Sequence, residues 1–232
     1  MIAPKKRSRL HYSWIVAALT FLILLTGAGM RATPAVLIVP LEHEFGWSAE
    51  TISLAISINL VLYGLTGPFS AALMERFGIR RIAVFALLLV AIAAGLTPFM
   101  RAAWQLYLLW GLLIGLATGS LASVLGVLVA NRWFVRQRGL VLGLFSASNA
   151  TGQLVFLPFL AWIVVTSGWR SAILVIAGVA LIVAPLVAWL MREYPQDVGV
   201  LPYGAEVAEE RPAMAANPFK ATLDGLFYGF RS

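Results

Sequence analysis

Six long apolar segments dominate this sequence and leave few folds open to it. An α-helix rises about 1.5 Å per residue, so each segment is long enough to cross a hydrocarbon core of about 30 Å. Only helices and closed β-barrels satisfy their backbone hydrogen bonds in lipid, and these segments are too long and too continuous for barrel strands. The pattern predicts an all-α membrane protein with six transmembrane helices in a domain spanning residues 13–191. The predicted helices cover residues 13–40, 52–74, 82–100, 104–130, 138–166 and 170–191.

Composition argues against a soluble protein and against several kinds of site. Hydrophobic residues make up 61% of the 232-residue chain and charged residues only 12%, about half the charged share of a soluble domain. Cysteine is absent, which excludes disulfides and thiol chemistry. The sequence also lacks H-E-x-x-H, a G-x-S-x-G with a buried histidine, and a phosphate-binding glycine loop. We therefore expect no enzyme activity, no metal site and no cofactor.

The distribution of Lys and Arg predicts the orientation in the membrane. The basic tail, residues 1–12, and the connections after the second and fourth helices carry ten of these residues. The opposite connections carry only Arg101 and Arg170. Because Lys and Arg accumulate in cytoplasmic loops, we expect a multi-pass protein of the cell membrane with both termini in the cytoplasm. The net charge of +7 does not indicate nucleic-acid binding, since the basic residues are spread through short loops.

A short internal repeat predicts how the helices are arranged. Residues 68–80 read "PFSAALMERFGIR" and residues 158–170 read "PFLAWIVVTSGWR", with Pro, Phe, Ala, Gly and Arg coinciding at an offset of 90. The first copy ends helix two at the cytoplasm, and the second ends helix five outside. The two triplets of helices would then have opposite topology, which is the inverted three-plus-three repeat of many transporters.

Polar residues within the helices form the candidate substrate site. Helices three and six are nearly free of polar side chains, so we expect them to face lipid while the other four helices line a polar path. Asn59 and Tyr63 lie four residues apart on helix two, and Asn149 and Gln153 do the same on helix five. Hydrogen bonding between helices and lining of a substrate cavity both explain these residues. The predicted substrate-binding residues are Arg31, Asn59, Tyr63, Asn149 and Gln153.

Arg31 has two interpretations. If helix one ends near Met30, Arg31 lies at the outer membrane surface, whereas a helix that continues towards Leu41 places it inside the membrane. A buried guanidinium suggests an anionic ligand such as a carboxylate. Between residues 51 and 191 the only acid is Glu75 and there is no histidine. Any proton coupling must therefore use residues elsewhere or the substrate itself.

Small residues recur every four positions on helices four and five. They are Gly111, Gly115, Gly119 and Ser123 on helix four, and Gly139, Gly143, Ala147 and Thr151 on helix five. Such ridges let helix backbones approach closely. Static packing and sliding contacts in a moving protein both account for them.

The connection between helices two and three resembles the signature loop of the major facilitator superfamily, G-x-L-a-D-R-x-G-R-R. This chain reads "AALMERFGIRR", with Ala71, Glu75 and Ile79 replacing the usual Gly, Asp and first basic residue. In the family, the acid and arginines of this loop form a charged latch that helps hold the two halves closed towards the cytoplasm. The predicted loop residues are Leu73, Glu75, Arg76, Gly78, Arg80 and Arg81.

Three further stretches resemble the monocarboxylate and oxalate–formate antiporter-like branch of that superfamily. They are "PLEHEFGWSAETIS", "NRWFVRQRGLVLG" and "YPQDVGVLPYG". The resemblance implies a transporter that moves a small organic anion by alternating access between two six-helix halves. This chain is similar to the N-terminal half, followed by a cytoplasmic linker over residues 192–232. The sequence is therefore expected to be a truncated first half that lacks its C-terminal six-helix partner.

Two other functions remain open at this level. A six-helix chain could form a homodimer in which a second copy completes the transport path. It could also be a scaffold or subunit of a membrane complex that transports nothing itself. In each case the predicted partners are the lipid bilayer and, for a transporter, a small-molecule solute.

Overall fold

The computed structural model describes residues 11–206, which form a bundle of helices. Lys5, Lys6, Arg7 and Arg9 of the basic tail lie outside the described residues, as do residues 207–232 of the predicted linker. Six helices are long and apolar enough to cross a membrane, and the described residues contain no named strand. The predicted all-α fold with six transmembrane helices is confirmed. The helices are α1 (Tyr12–Phe45), α2 (Ala49–Phe77), α3 (Ile79–Leu96, extended by the 3₁₀ turn Thr97–Phe99), α4 (Ala103–Trp133), α5 (Arg138–Ser167) and α6 (Trp169–Leu190).

Capping residues, and not the ends of the apolar runs, set the helix boundaries. α1 continues to Phe45, beyond the predicted end at Pro40, and is capped by Gly46, which has a φ of 66° and donates its N–H to the carbonyl of Glu42. α2 begins at Ala49, before the predicted start at residue 52, because the Ser48 hydroxyl accepts the N–H of Thr51 at 3.3 Å. Left-handed glycines and serine caps satisfy the backbone groups that a helix end leaves open.

Two glycines confirm the inverted repeat in backbone detail. Gly78 joins α2 to α3 with φ 95° and ψ 147°, and Gly168 joins α5 to α6 with φ 84° and ψ 161°. Each donates its N–H to the carbonyl four residues earlier, at 2.9 and 3.1 Å. Glycine is required at both positions because other residues rarely adopt a positive φ. The two joints are 90 residues apart in the sequence and lie at opposite ends of the bundle.

Helix pairing follows the same symmetry. The most extensive contacts are between α1 and α5, between α2 and α4, and between α3 and α6. In an inverted repeat, α1, α2 and α3 are equivalent to α4, α5 and α6, in that order. The α1–α5 pair is therefore equivalent to the α4–α2 pair, and the α3–α6 pair is equivalent to itself. α3 and α6 cover one another on one side and expose large apolar residues on the other, including Phe85, Ile92, Ile182 and Trp189.

The glycine ridge of α4 makes the α2–α4 contact unusually close. A Cβ at Gly115 would lie 3.1 Å from the backbone of Asn59, and one at Gly119 would lie 2.9 Å from the carbonyl oxygen of Tyr63. The equivalent ridge on α5 does not pack within the described part of this chain, since a Cβ at Gly139 or Gly143 would meet nothing within 4 Å. The predicted close packing is therefore seen for the α4 ridge, and the described chain shows none for the α5 ridge.

A different glycine brings α5 against α1. A Cβ at Gly152 would lie 2.6 Å from the Cβ of Ala28, and one at Gly29 would lie 3.0 Å from the ring of Phe156. Gly152 and Phe145 are buried, whereas the face of α5 that carries the predicted ridge is largely exposed. The rotation of α5 about its axis, which the spacing of small residues did not determine, explains the difference.

The residues after α6 dock against the bundle as far as the structure describes them. We call residues 192–206 the docked segment. The N–H of Tyr203 donates to the carbonyl of Trp133 at 2.8 Å, and its own carbonyl accepts the N–H groups of Val135 and Arg136 at 3.0 Å. The docked segment is therefore hydrogen-bonded to the α4–α5 connection, although the sequence suggested only a linker. Two of the stretches that carry the family resemblance, residues 131–143 and 194–204, are thus in contact with one another.

Candidate functional site

Arg31 lies in the interior of a continuous helix, so α1 does not end near Met30 as the surface interpretation assumed. It follows the start of α1 by 19 residues and precedes its end by 14, or about 28 Å and about 21 Å along the axis. Pro34 and Pro40 are both accommodated within this helix. Proline lacks an N–H and so frees a carbonyl one turn earlier. Pro34 also lines a cavity.

Arg31 joins three helices through neutral partners. Its Nη1 donates to the hydroxyl of Tyr63 on α2 at 3.2 Å, and its Nη2 donates to Oδ1 of Asn149 on α5. The guanidinium carbon also lies 5.3 Å from the centre of the Tyr63 ring, a distance at which cation–π attraction operates. The structure thus brings together three of the five predicted site residues, from positions 31, 63 and 149.

No carboxylate balances this guanidinium within residues 11–206. The ion pairs of the described chain are Arg132–Glu193 and Arg170–Glu44, and both lie at the ends of the bundle. A partly buried guanidinium has here only a phenol and an amide as partners, and neither of them carries a negative charge. The positive charge of Arg31 therefore favours the approach of an anion.

Arg31 forms part of the wall of a cavity of about 230 Å³ between α1, α2, α4 and α5. We call it the outer cavity. Most of its other wall residues are apolar, and Gln153 and Thr118 add polar groups. The combination of one cation, a few polar groups and an apolar wall is typical of small-molecule sites. The lining residues are Met30, Arg31, Pro34, Ile56, Asn59, Leu60, Tyr63, Trp110, Ile114, Thr118 and Gln153.

Asn59 lines this cavity but its amide also has a structural task. Its Nδ2 donates to the carbonyl of Trp110 at 2.7 Å. Trp110 belongs to a π-helical stretch of α4, Tyr107–Ile114, and its indole N–H donates to the hydroxyl of Thr97 at 2.9 Å. π-helical turns leave backbone groups in need of partners and are frequent at functional sites. Asn59 therefore holds the part of α4 that forms the cavity wall.

A second cavity, of about 190 Å³, has Asn149 in its lining. We call it the inner cavity. It is lined by residues of α1, α4 and α5, among them Ser146 and Asn149. Arg31 lines the outer cavity and not the inner one, whereas Asn149 lines the inner cavity and not the outer one. The guanidinium–amide contact therefore links the linings of the two cavities.

The signature loop lies at one end of the bundle, together with the α4–α5 connection and the docked segment. We call this the basic end. Glu75, Arg76 and Arg81 are exposed, and the Arg76 guanidinium lies over the ring of Phe77 at 5.3 Å. Leu73 and Arg80 are half-buried. The exposed side chains leave the charged face of this loop available for contacts outside the described residues.

Glu193 caps the start of α3, a role that sequence reasoning missed. Its carboxylate accepts the backbone N–H groups of Ile79 and Arg80 at 2.7 and 2.9 Å and lies 3.6 Å from the guanidinium of Arg132. A carboxylate is favourable there because of the unbonded N–H groups and the positive end of the helix dipole. An acid directly after α6, at an otherwise basic end, was the signal that could have revealed it.

An ion pair closes the opposite end of the bundle. Two nitrogens of Arg170 donate to the two oxygens of Glu44, at 2.7 and 2.5 Å, and the indole N–H of Trp169 donates to the same carboxylate at 2.6 Å. Arg170 also donates to the carbonyl of Pro98 at 3.2 Å. These bonds tie the ends of α1, α3 and α6 together.

The wall of the outer cavity contains residues that sequence reasoning did not select. Trp110, Ile114 and Thr118 follow one another at four-residue spacing on α4, beside the glycine ridge. Residues at this spacing share a face of a helix. Because the glycine ridge packs against α2, the adjacent row of residues on α4 also lies next to α2. This adjacency to the ridge could have predicted the three residues from the sequence.

Comparison with known proteins identifies related sequences over most of the chain. A sequence profile described as the Major Facilitator Superfamily matches residues 19–230. Mouse (Mus musculus) "Monocarboxylate transporter 11" is 29% identical over 180 residues, which are 77% of this chain and 40% of that protein. The "Oxalate:formate antiporter" of Oxalobacter formigenes is 24% identical over 189 residues, 80% of this chain and 44% of that protein. An "Uncharacterized MFS-type transporter" of Bacillus subtilis is 22% identical over 190 residues, 82% of this chain and 47% of that protein.

All three alignments cover much of this chain but only part of each relative. The chain spans less than half the length of each of these relatives, although the alignments cover about four fifths of the chain itself. The matched region includes all six helices apart from the first turns of α1. The resemblance therefore concerns the whole six-helix bundle and not one loop.

Proposed function

This chain belongs to the major facilitator superfamily of membrane transporters, and on that premise we propose that it binds and moves a small organic anion, such as a monocarboxylate, by alternating access. The observation that carries the proposal is Arg31, a guanidinium in the wall of a cavity with neutral partners only among the described residues. The similarity to a monocarboxylate transporter and to an oxalate:formate antiporter supports the same class of ligand.

The proposed site assigns a task to each predicted residue. Arg31 pairs with the carboxylate, which is its natural planar partner. Tyr63 and Asn149 hold the guanidinium, Asn59 fixes the α4 wall, and Gln153 offers an amide to polar groups of the ligand. The apolar wall accommodates a short hydrocarbon group of the anion, since burial of such surface is favourable.

We propose that a second six-helix unit covers the exposed faces of α2 and α5. In the most apolar stretch of each of these helices only 17% of residues are buried, against 67% in α1. The greater length of the relatives supports this arrangement. Alternating access then consists of rocking the two units about the cavity. Either a further segment or a second copy of this chain can supply the unit, and in both cases the two cavities would face it.

We propose further that the basic end faces the cytoplasm of a cell membrane. Among the described residues it carries Arg76, Arg80 and Arg81 together with the arginines of the α4–α5 connection, and the opposite end carries Arg101 and Arg170. This asymmetry supports the orientation because positive residues are retained on the cytoplasmic side.

A binding measurement tests the site. The chain is purified in lipid nanodiscs, and equilibrium binding of radiolabelled L-lactate is compared between the wild type and Arg31→Ala. Loss of a charge-assisted pair predicts binding about 10- to 100-fold weaker. Arg101→Ala, which removes an exposed arginine far from both cavities, should bind as the wild type does.

Two results separate the site from transport. Equal binding by the wild type and Arg31→Ala would refute the role of Arg31. Uptake of lactate into liposomes that contain the protein, with Arg31→Ala as the inactive comparison, tests the transport step itself. Binding without uptake would support the site and contradict transport by this chain alone.

A further inference from the structure

The Arg31–Asn149 contact joins a residue that lines one cavity to a residue that lines another. The outer cavity has Arg31 in its wall and the inner cavity has Asn149 in its wall. The two side chains come from α1 and α5, which form one of the three most extensive helix–helix contacts of the described bundle.

The chemistry of the contact fixes the orientation of the amide. A guanidinium has donors only, so Asn149 must present Oδ1 to it, as observed. The amide nitrogen of Asn149 has no partner among residues 11–206. The amide oxygen is therefore a neutral acceptor bound to the Arg31 guanidinium. The described chain provides no carboxylate that pairs with this cation.

We propose that Asn149 is a built-in substitute for the anion: it occupies Arg31 while the site is empty, and an arriving carboxylate displaces it. This inference rests on the proposed function of Arg31 as the anion-binding residue. A carboxylate brings a full negative charge and two acceptor oxygens, so it can pair with the guanidinium through two parallel hydrogen bonds, whereas the amide offers one neutral oxygen. A carboxylate in the outer cavity therefore competes for the guanidinium better than water or a neutral solute does.

Tyr63 has a different part in this exchange. Its ring remains below the guanidinium at 5.3 Å while its hydroxyl accepts from Nη1. The cation–π attraction does not compete with an anion that approaches the edge of the guanidinium. Arg31 thus keeps its support from α2 while it releases α5.

Displacement of Asn149 has a mechanical consequence. It removes the polar link between α1 and α5 at this level and leaves Asn149 and Ser146 as hydrogen-bonding groups in the wall of the inner cavity. The anion itself would then loosen the contact between α1 and α5 at this level. A neutral solute of the same size would leave the Arg31–Asn149 bond in place, so the displacement is selective for charge.

Binding to Asn149→Ala distinguishes this role from that of an ordinary ligand residue. Removal of the competing acceptor should make L-lactate bind about threefold to tenfold more tightly, the range of one net hydrogen bond. Asn149→Asp, which supplies a permanent internal carboxylate, should bind L-lactate much more weakly than the wild type. Binding by Asn149→Ala that is weaker than or equal to that of the wild type would overturn the proposal.

An NMR titration of the wild-type chain observes the displacement directly, and substitutions serve only to assign its signals. The chain contains only four asparagines, at positions 59, 131, 149 and 217. With ¹⁵N-labelled asparagine, four side-chain amide signals are expected, and single Asn→Ser variants assign them. On addition of L-lactate the Asn149 signal should shift and that of the exposed Asn131 should not. Saturable lactate binding that leaves Asn149 unshifted would also overturn the proposal.

The controls separate this inference from the proposed function. Binding that Arg31→Ala abolishes, together with weaker binding by Asn149→Ala, would retain Arg31 as the anion site and reject displacement. Lactate binding that does not depend on Arg31 would reject both. Size-exclusion profiles and helical circular dichroism of each variant establish that it is folded before its affinity is compared.

Discussion

Replacement of Glu193 by glutamine removes the charge that caps α3, and the structure allows the cost to be estimated. The carboxylate accepts two backbone N–H groups, from Ile79 and Arg80, and faces Arg132 at 3.6 Å. Loss of a helix cap costs about 0.5–2 kcal/mol and loss of a charge at a helix N-terminus about 0.3–1 kcal/mol. The partly exposed ion pair adds at most about 1 kcal/mol. Since glutamine keeps one acceptor oxygen, we expect a total loss of about 1–3 kcal/mol.

The assay is thermal unfolding of the purified chain in detergent, followed by circular dichroism. For a chain of this size, about 1 kcal/mol corresponds to about 2–4 °C, so a loss of about 2 kcal/mol lowers Tm by about 4–8 °C. Glu75→Gln is the matched control, because Glu75 is exposed at the same end of the bundle and has no hydrogen bond or ion pair among the described residues. If both variants melt together with the wild type, the capping argument is wrong. Glu193→Ala, which keeps no acceptor, should be less stable than Glu193→Gln.

Two further predictions concern glycine packing and the opposite end of the bundle. Gly119→Ala places a Cβ 2.9 Å from the carbonyl of Tyr63 and should cost about 1–3 kcal/mol, whereas Gly143→Ala meets no neighbour and should stabilise its helix by up to about 1 kcal/mol. Melting shifts of the same sign in these two variants would contradict the close contact of α2 and α4. Glu44→Gln should cost less than about 1 kcal/mol, because its partner Arg170 is well exposed. The difference from the wild type should shrink in high salt, as screening requires, and a difference that salt does not change would show that charge is not its cause.

The sequence predicted the helices of this bundle better than their ends. Each apolar segment corresponds to one helix, because insertion in lipid depends on the hydrophobicity of that segment alone. Pro40 and residues 41–45, which look like the start of a loop, continue α1 as far as its cap at Gly46. A left-handed glycine decided that boundary, and hydrophobicity gave no information about it.

In the candidate site, too, the sequence predicted which residues matter better than how they contact one another. Arg31, Tyr63 and Asn149 could be selected because polar groups in apolar helices are costly and therefore informative. Their mutual contact could not be predicted, since it depends on how far each helix is rotated about its own axis. Asn59 was selected for the same reason, yet its amide N–H is committed to the carbonyl of Trp110.

The sequence by itself determined the number of helices, their inverted repeat and the family, because these follow from local hydrophobicity and from motifs contiguous in the chain. The joints at Gly78 and Gly168 could also be predicted from the sequence, since glycine is the residue that most readily adopts the positive φ found there. Only the tertiary structure decided which glycine ridge packs, what caps α3 and which side chain occupies Arg31. Those contacts join residues that are far apart in the chain, and their free energy depends on the packing of whole helix faces, which no single segment of the sequence specifies.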